Sequence, residues 1–131
     1  MKKISLIVFF VGIFFSCSVE VEEKVFEPEM FGRWEWVKST GGIDGRTETP
    51  ASTGEQITIE FLIGTYKKYV DGKLAEEMTY KIDVGESMIS GENSVIIIYQ
   101  NGWKQSVEFE NDNLILQDEC SDCFRNEYTL E

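Results

Sequence analysis

Residues 31–38 read FGRWEWVK and begin the pattern that decides the fold. Trp34, Trp36 and Lys38 alternate with Arg33, Glu35 and Val37, and a period of two is typical of a strand with one buried face. Strand-like patterns follow in seven later segments: 56–63, 66–70, 74–83, 94–100, 103–110, 114–117 and 124–130. No segment has a convincing helical period, so the sequence predicts an all-β domain.

Tight turns separate most of these strands. Asp71-Gly72 is a strong hairpin signal, because type I′ turns need positive φ at both central residues. Asn101-Gly102 is the best hairpin turn signal in the chain. About eight antiparallel strands in roughly 100 residues must protect their edges or close on themselves. We therefore predict an up-and-down antiparallel β-barrel; a two-sheet sandwich is the alternative. Residues 39–54 (STGGIDGRTETPASTG) form the one long loop, and such loops are often functional.

The N-terminus indicates secretion. Two lysines precede the apolar run 4–15, which is too short to span a bilayer and fits the core of a signal peptide over residues 1–16. Ser16-Cys17 resembles the lipobox of bacterial lipoproteins, in which the cysteine sulfur receives a diacylglycerol; an ordinary signal peptide with an incidental cysteine is the alternative. Residues 17–29 would then be an acidic tether and residues 30–131 the barrel domain. Because Ser18 and not aspartate follows Cys17, we expect a lipid anchor in the outer membrane of the cell envelope, with the leaflet left open.

Composition excludes several functions. The chain has 12 basic and 24 acidic residues, and losing Lys2 and Lys3 with the signal peptide takes the net charge from −12 to −14. Such a charge repels phosphate backbones, so we expect no nucleic-acid partner. The chain contains no histidine, which removes Ser-His-Asp and Cys-His arrangements and histidine-bearing zinc sites. We expect no catalytic residues, no cofactor and no metal.

Cys120 and Cys123 form a C-x-x-C motif. Outside the inner membrane oxidation is the default, and lipid attachment at Cys17 leaves these two cysteines as a pair. We predict a local disulfide. A thioredoxin-like role lacks its βαβ context, and zinc would need two further ligands.

Several motifs together resemble a known family. Gly32-x-Trp34 resembles the Gly-x-Trp signature of the lipocalin and calycin superfamily. The domain as a whole resembles the lipocalin-like domain lipoproteins of Gram-negative bacteria, through Trp34-x-Trp36-Val37, Thr40-Gly41-Gly42, 49–54 (TPASTG), Tyr66-Lys67-x-Tyr69, 71–74 (DGKL) and Asn113-Leu114-x-Leu116. The resemblance implies an eight-stranded barrel with a ligand mouth and names no substrate. Cys120-Ser121-Asp122 fits the family's Cys-x-Asp-Gly, although Cys123 replaces the glycine. In larger lipocalins an arginine near the last strand packs over the first tryptophan, and the resemblance makes Arg125 the candidate for that role. Arg125, however, alternates with Phe124 and Tyr128 and so lies on the opposite face of its strand from them.

The aromatic residues support two interpretations. They either line a pocket or fill the barrel, and we expect a mostly filled interior with a shallow mouth. The full set is Trp34, Trp36, Phe61, Tyr80, Tyr99, Trp103, Phe109 and Tyr128. We take six as candidate ligand-binding residues: Trp34, Trp36, Phe61, Tyr80, Tyr99 and Trp103.

Two functions remain open. The first is non-catalytic binding of a small apolar or glycan-like ligand. The second is a protein-interaction or inhibitor module that uses the 39–54 loop and an acidic rim. A cavity of about 300 Å³ or more lined by these aromatics would favour the first function. A closed core with an exposed apolar patch near the loop would favour the second.

Overall fold

A computed structural model describes residues 27–131 as one antiparallel sheet with two four-residue helices. The elements are α1 Glu27–Met30, β1 Gly32–Gly41, β2 Arg46–Glu48, α2 Pro50–Thr53, β3 Ile57–Leu62, β4 Thr65–Val70, β5 Lys73–Glu86, β6 Asn93–Tyr99, β7 Lys104–Glu110, β8 Asn113–Asp118 and β9 Phe124–Leu130. Neither helix is long or apolar enough to cross a membrane.

The sheet closes into a barrel. From β3 to β9 each strand pairs with the next along the chain, and β1 pairs with β3 on one side and with β9 on the other. This ring of eight strands confirms the predicted up-and-down barrel and excludes the sandwich. The ninth strand, β2, pairs only with the last residues of β1 and lies outside the ring.

The 39–54 segment is not the single long loop that we predicted. β1 continues to Gly41 and pairs with β9, and β2 then folds back on it. Helix α2 follows because Thr49 and Ser52 form a capping box around Pro50, which is preorganised for a first helical turn. Gly54 ends the helix in a left-handed conformation with φ 74°.

The strand directions give the barrel two distinct ends. At what we call the open end, hairpins join β4 to β5, β6 to β7 and β8 to β9, and the 42–56 connection enters β3. At the closed end lie α1 and the other hairpins. Asp71 and Gly72 at the open end have φ of 51° and 79°, which confirms the predicted positive-φ turn. Asn111 and Asp112 at the closed end have φ of 51° and 65°.

A bulge in β1 changes which residues face inward. The pairing with β9 shifts register between Trp36 and Lys38. Trp34, Trp36 and Ser39 are therefore the buried residues, and the expectation that Lys38 shares their face is wrong. Lys38 lies outside, 3.5 Å from the carboxylate of Glu127.

Side chains fill the closed end. Met30, Ile59, Phe61 and Leu114 are fully buried there, next to Trp34. The Trp34 indole Nε1 donates to the carbonyl oxygen of Met30 over 2.8 Å, which holds α1 against the barrel. Helix α1 spans the boundary that we predicted between tether and barrel.

Strand β6 is covered on both faces, as its sequence predicts. Val95 and Ile97 belong to the interior core, and Ile96 is buried on the opposite side. The loop after β5 folds back toward the end of β8, where the Glu119 carboxylate accepts hydrogen bonds of 2.7 Å from Ser87 Oγ and Met88 N.

Cys120 and Cys123 form the predicted disulfide, with Cα atoms 5.6 Å apart. The predicted signal peptide 1–16, the lipid-attachment residue Cys17 and most of the tether lie outside the described residues and stay predictions.

Candidate ligand-binding site

A cavity of about 410 Å³ occupies the open end of the barrel. Its wall is built from the ends of β1, β4, β6 and β8 and the starts of β3, β5, β7 and β9, and from residues on and beside β2 and α2. The wall combines aromatic and aliphatic side chains with polar ones. It consists of Trp36, Ser39, Glu48, Thr53, Glu55, Ile57, Tyr66, Lys68, Glu76, Met78, Tyr99, Asn101, Trp103, Gln105, Asp118, Phe124, Asn126 and Tyr128.

The six candidate residues divide between the two ends of the barrel. Trp36, Tyr99 and Trp103 line the cavity. Trp34, Phe61 and Tyr80 lie instead in the packed core and form none of the cavity wall. The aromatic residues thus fill one end of the barrel and line the other, and the open part is larger than the shallow mouth that we expected.

Trp103 stands at the cavity entrance. Its side chain is 45% exposed, although it lines the cavity. A half-exposed indole offers a flat apolar surface to a molecule that enters from solvent.

Sequence reasoning missed several residues of the cavity wall. Tyr66 and Phe124 lie on the inward faces of β4 and β9, and their alternation was visible in the sequence. The inward direction of Ser39 depends on the β1 bulge, for which the sequence has no glycine or proline signal. Asp118 is the last residue of β8 and is buried.

A chain of polar contacts crosses the cavity wall and ends on Asp118. Trp36 Nε1 donates to Ser39 Oγ over 2.8 Å, and Ser39 Oγ donates to Asn126 Oδ1 over 2.6 Å. Asn126 Nδ2 then donates to Asp118 Oδ1 over 3.2 Å. These contacts fix the Trp36 ring in the wall.

A second set of contacts reaches the same carboxylate from the other side. Tyr99 Oη donates to Gln105 Oε1 over 2.6 Å, and Gln105 Nε2 donates to Asp118 Oδ1 over 2.7 Å. The backbone N–H of Phe124 donates to Asp118 Oδ2 over 3.3 Å. Five adjacent strands, β6 to β9 and β1, are thereby tied to one buried carboxylate, and such networks make a wall rigid when every member is satisfied.

Three tyrosines lie close to this carboxylate, and we call Tyr66, Tyr99 and Tyr128 the cavity tyrosines. The rings of Tyr66 and Tyr99 meet edge to face with centroids 5.0 Å apart. Burial raises the pKa of all three hydroxyls above the usual value, and the negative charge of Asp118 raises each pKa further. The hydroxyls therefore stay protonated at neutral pH.

Charge on the cavity wall is mostly negative. Glu48, Glu55, Glu76 and Asp118 contribute carboxylates, and Lys68 is the one basic side chain among the lining residues. Within residues 27–131, Lys68 lies within 4.0 Å of no carboxylate, and no group of three or more acidic or cysteine side chains is placed to hold a metal ion.

The disulfide hairpin lies beside the cavity entrance. Gly42 N donates to the carbonyl oxygen of Cys123 over 3.4 Å, and the Arg46 guanidinium lies 5.5 Å from the ring centre of Phe124. The two connections that flank the entrance are thereby packed against each other.

Comparison of the chain with protein-family models, curated proteins and solved structures gave no match.

Proposed function

We propose that the barrel is a lipocalin-like, non-catalytic binding module that takes a small apolar or glycan-like molecule into the open-end cavity. The observation that supports this is the cavity itself. Its volume of about 410 Å³ lies in the usual range for small-molecule sites, and its wall joins aromatic surface to a few fixed polar groups.

The wall suits a ligand with an apolar face and some polar groups. Trp36, Tyr66, Phe124 and Trp103 offer ring faces and edges, and apolar or sugar rings pack well on such surfaces. The polar network around Asp118 would orient the bound molecule.

We also propose that the chain is a lipoprotein, held by Cys17 in the outer membrane of a Gram-negative cell envelope. The support is the signal-like run followed by Ser16-Cys17, together with the resemblance to lipocalin-like lipoproteins. The wild-type protein should incorporate labelled palmitate in its native host, and Cys17→Ala should not. Label that survives the substitution contradicts the anchor.

Native mass spectrometry of the protein from its native host tests the ligand proposal. The wild-type protein should carry a small molecule that adds to the protein mass. Met78→Trp should lose it, because Met78 lines the cavity and the larger indole occupies that space.

Met88→Trp is the matched control. Met88 is 75% exposed and is not one of the residues that line the cavity, so the same substitution there should leave the bound molecule in place. Circular dichroism should show folded protein for both variants. Wild-type protein with no bound molecule, or equal loss from both variants, contradicts the proposal.

The alternative function, a protein-interaction or inhibitor module, has one observation in its favour. Ile43, between β1 and β2, is 92% exposed. Ile43 is the one exposed large hydrophobic side chain of the 39–54 segment, and a single exposed isoleucine is common on protein surfaces and does not make a patch. The cavity therefore supports the small-ligand function better.

A further inference from the structure

One hydroxyl group of the cavity wall, that of Tyr128, is available to form hydrogen bonds with a ligand. Tyr128 is only 8% exposed, yet its hydroxyl forms no hydrogen bond within residues 27–131. Fully enclosed side-chain N and O atoms of these residues all have partners, so the Tyr128 hydroxyl must open onto the cavity that the residue lines. A hydroxyl group that faces the cavity can donate a hydrogen bond to a molecule that enters it and accept one from that molecule.

Asp118 has acceptor capacity left as well. Its Oδ1 accepts from Gln105 and Asn126, and its Oδ2 accepts only the 3.3 Å bond from the Phe124 backbone. A carboxylate offers about four acceptor positions, so about one remains at Oδ2. No basic side chain pairs with this buried carboxylate among the described residues.

The wall around this carboxylate is aromatic. The cavity tyrosines, Trp36 and Phe124 surround the space next to Asp118. Aromatic faces attract cations through their quadrupole, and the attraction grows when water is excluded.

Electrostatics favour a cation over an anion. Four carboxylates and one ammonium group lie on the cavity wall, and the whole chain carries a net charge of −12. A carboxylate ligand that paired with Lys68 would lie beside Glu76, which faces Lys68 across β4 and β5, and the other carboxylates of the wall would repel it.

We propose that the cavity binds a small organic cation, an amine or quaternary ammonium group on an apolar body, with its charged nitrogen between the Asp118 carboxylate and the cavity tyrosines. The inference rests on the proposed ligand-binding function and names the chemical class of the ligand. A protonated amine would donate N–H hydrogen bonds to the free acceptor position of Asp118 Oδ2 and to the Tyr128 hydroxyl oxygen. A quaternary ammonium group, which has no N–H, would be held there by charge and by the aromatic rings. In both cases the apolar body would lie against Trp36 and Trp103.

Three probes of similar shape and different charge test the proposal: 2-phenylethylammonium, 2-phenylethanol and 3-phenylpropanoate, each titrated into the full-length protein by calorimetry at neutral pH. The cation should bind at least tenfold more tightly than the alcohol, and the anion most weakly. Added salt should weaken the binding of the cation and leave the affinity of the alcohol unchanged. Equal affinities, tighter binding of the anion, or no binding of any probe overturns the proposal.

A pair of substitutions locates the charge effect. Asp118→Asn should weaken binding of the cation at least tenfold and leave the alcohol within about twofold. Asp112→Asn makes the same chemical change at an exposed turn of the closed end and should alter neither affinity. If Asp118→Asn does not fold, Glu76→Gln on the cavity wall should still weaken the cation selectively. An unchanged affinity in a folded Asp118→Asn or Glu76→Gln protein overturns the assignment.

Failure of this inference is distinguishable from failure of the proposed function. A neutral molecule that binds in the cavity and is displaced by Met78→Trp overturns the charge preference and supports the binding function. Wild-type protein that carries nothing from its host contradicts the function itself.

Discussion

Replacing Trp34 by alanine tests the placement of the first tryptophan in the core. Its side chain is 3% exposed, packs 6.1 Å from the ring centre of Phe109, and donates a hydrogen bond to Met30. Losing a buried indole costs about 3–5 kcal/mol in the free energy of unfolding. Of that, the hydrogen bond contributes about 1 kcal/mol.

Chemical denaturation provides the measurement, and the chain provides a matched control. Trp103→Ala is the same substitution at a side chain that is 45% exposed, and should cost less than about 1 kcal/mol. Trp34→Phe keeps an aromatic ring and removes the N–H, so its loss should fall between the two. A cost below 1 kcal/mol for Trp34→Ala, or equal costs for both alanine variants, would refute our placement of the closed end.

Three further predictions concern pH, the glycine at the end of β1, and the disulfide. The cavity tyrosines have raised pKa values when folded, so their contribution to stability is complete below pH 10 and falls above it. Each raised pKa can lower the free energy of unfolding by up to about 1.4 kcal/mol per pH unit above pH 10, so urea melts between pH 8 and 11 should show stability falling at the upper end of this range. Unchanged stability across the range would contradict the burial of these tyrosines. Gly41→Ala should destabilise the protein strongly, since Gly41 has φ 134° and an added Cβ would overlap the Cys123 carbonyl oxygen. Gly45→Ala is the control: Gly45 has φ 66° and open space around it, so this change should cost only about 1 kcal/mol in the same melts. Similar losses for the two variants would contradict the contact between Gly41 and Cys123. Replacing Cys120 and Cys123 by serine should lower stability by about 2 kcal/mol, as expected for so short a loop, and a thermal melt identical to wild type would show that the disulfide contributes nothing.

The closed barrel could be predicted because the patterns that determine it are local. Alternation marks each strand, and Asp71-Gly72 adopts the positive φ angles that its sequence predicts. Short turns force successive strands to pair, and eight such strands bring the first beside the last. The T-P-x-S signal of helix α2 was also present at Thr49 and could have been used.

The cavity could not be predicted, because its position depends on packing between distant segments. Trp34 and Trp36 have the same alternation signal, yet one fills the closed end and the other lines the cavity. The bulge after Trp36 has no sequence signal, and without it the inward Ser39 and its bond to Asn126 are invisible. The buried role of Asp118 likewise appears only once β7, β8 and β9 are side by side.

The chain has three tryptophans, and they allow the central claim to be tested in one titration. In a ¹H–¹⁵N spectrum of the protein titrated with 2-phenylethylammonium, the indole signals of Trp36 and Trp103 should move, because both side chains line the open-end cavity. The indole signal of Trp34, bonded to Met30 at the closed end, should stay in place. Movement of the Trp34 signal alone would contradict a barrel that binds its ligand at the open end, and no movement of any of the three would contradict the binding of an organic cation there.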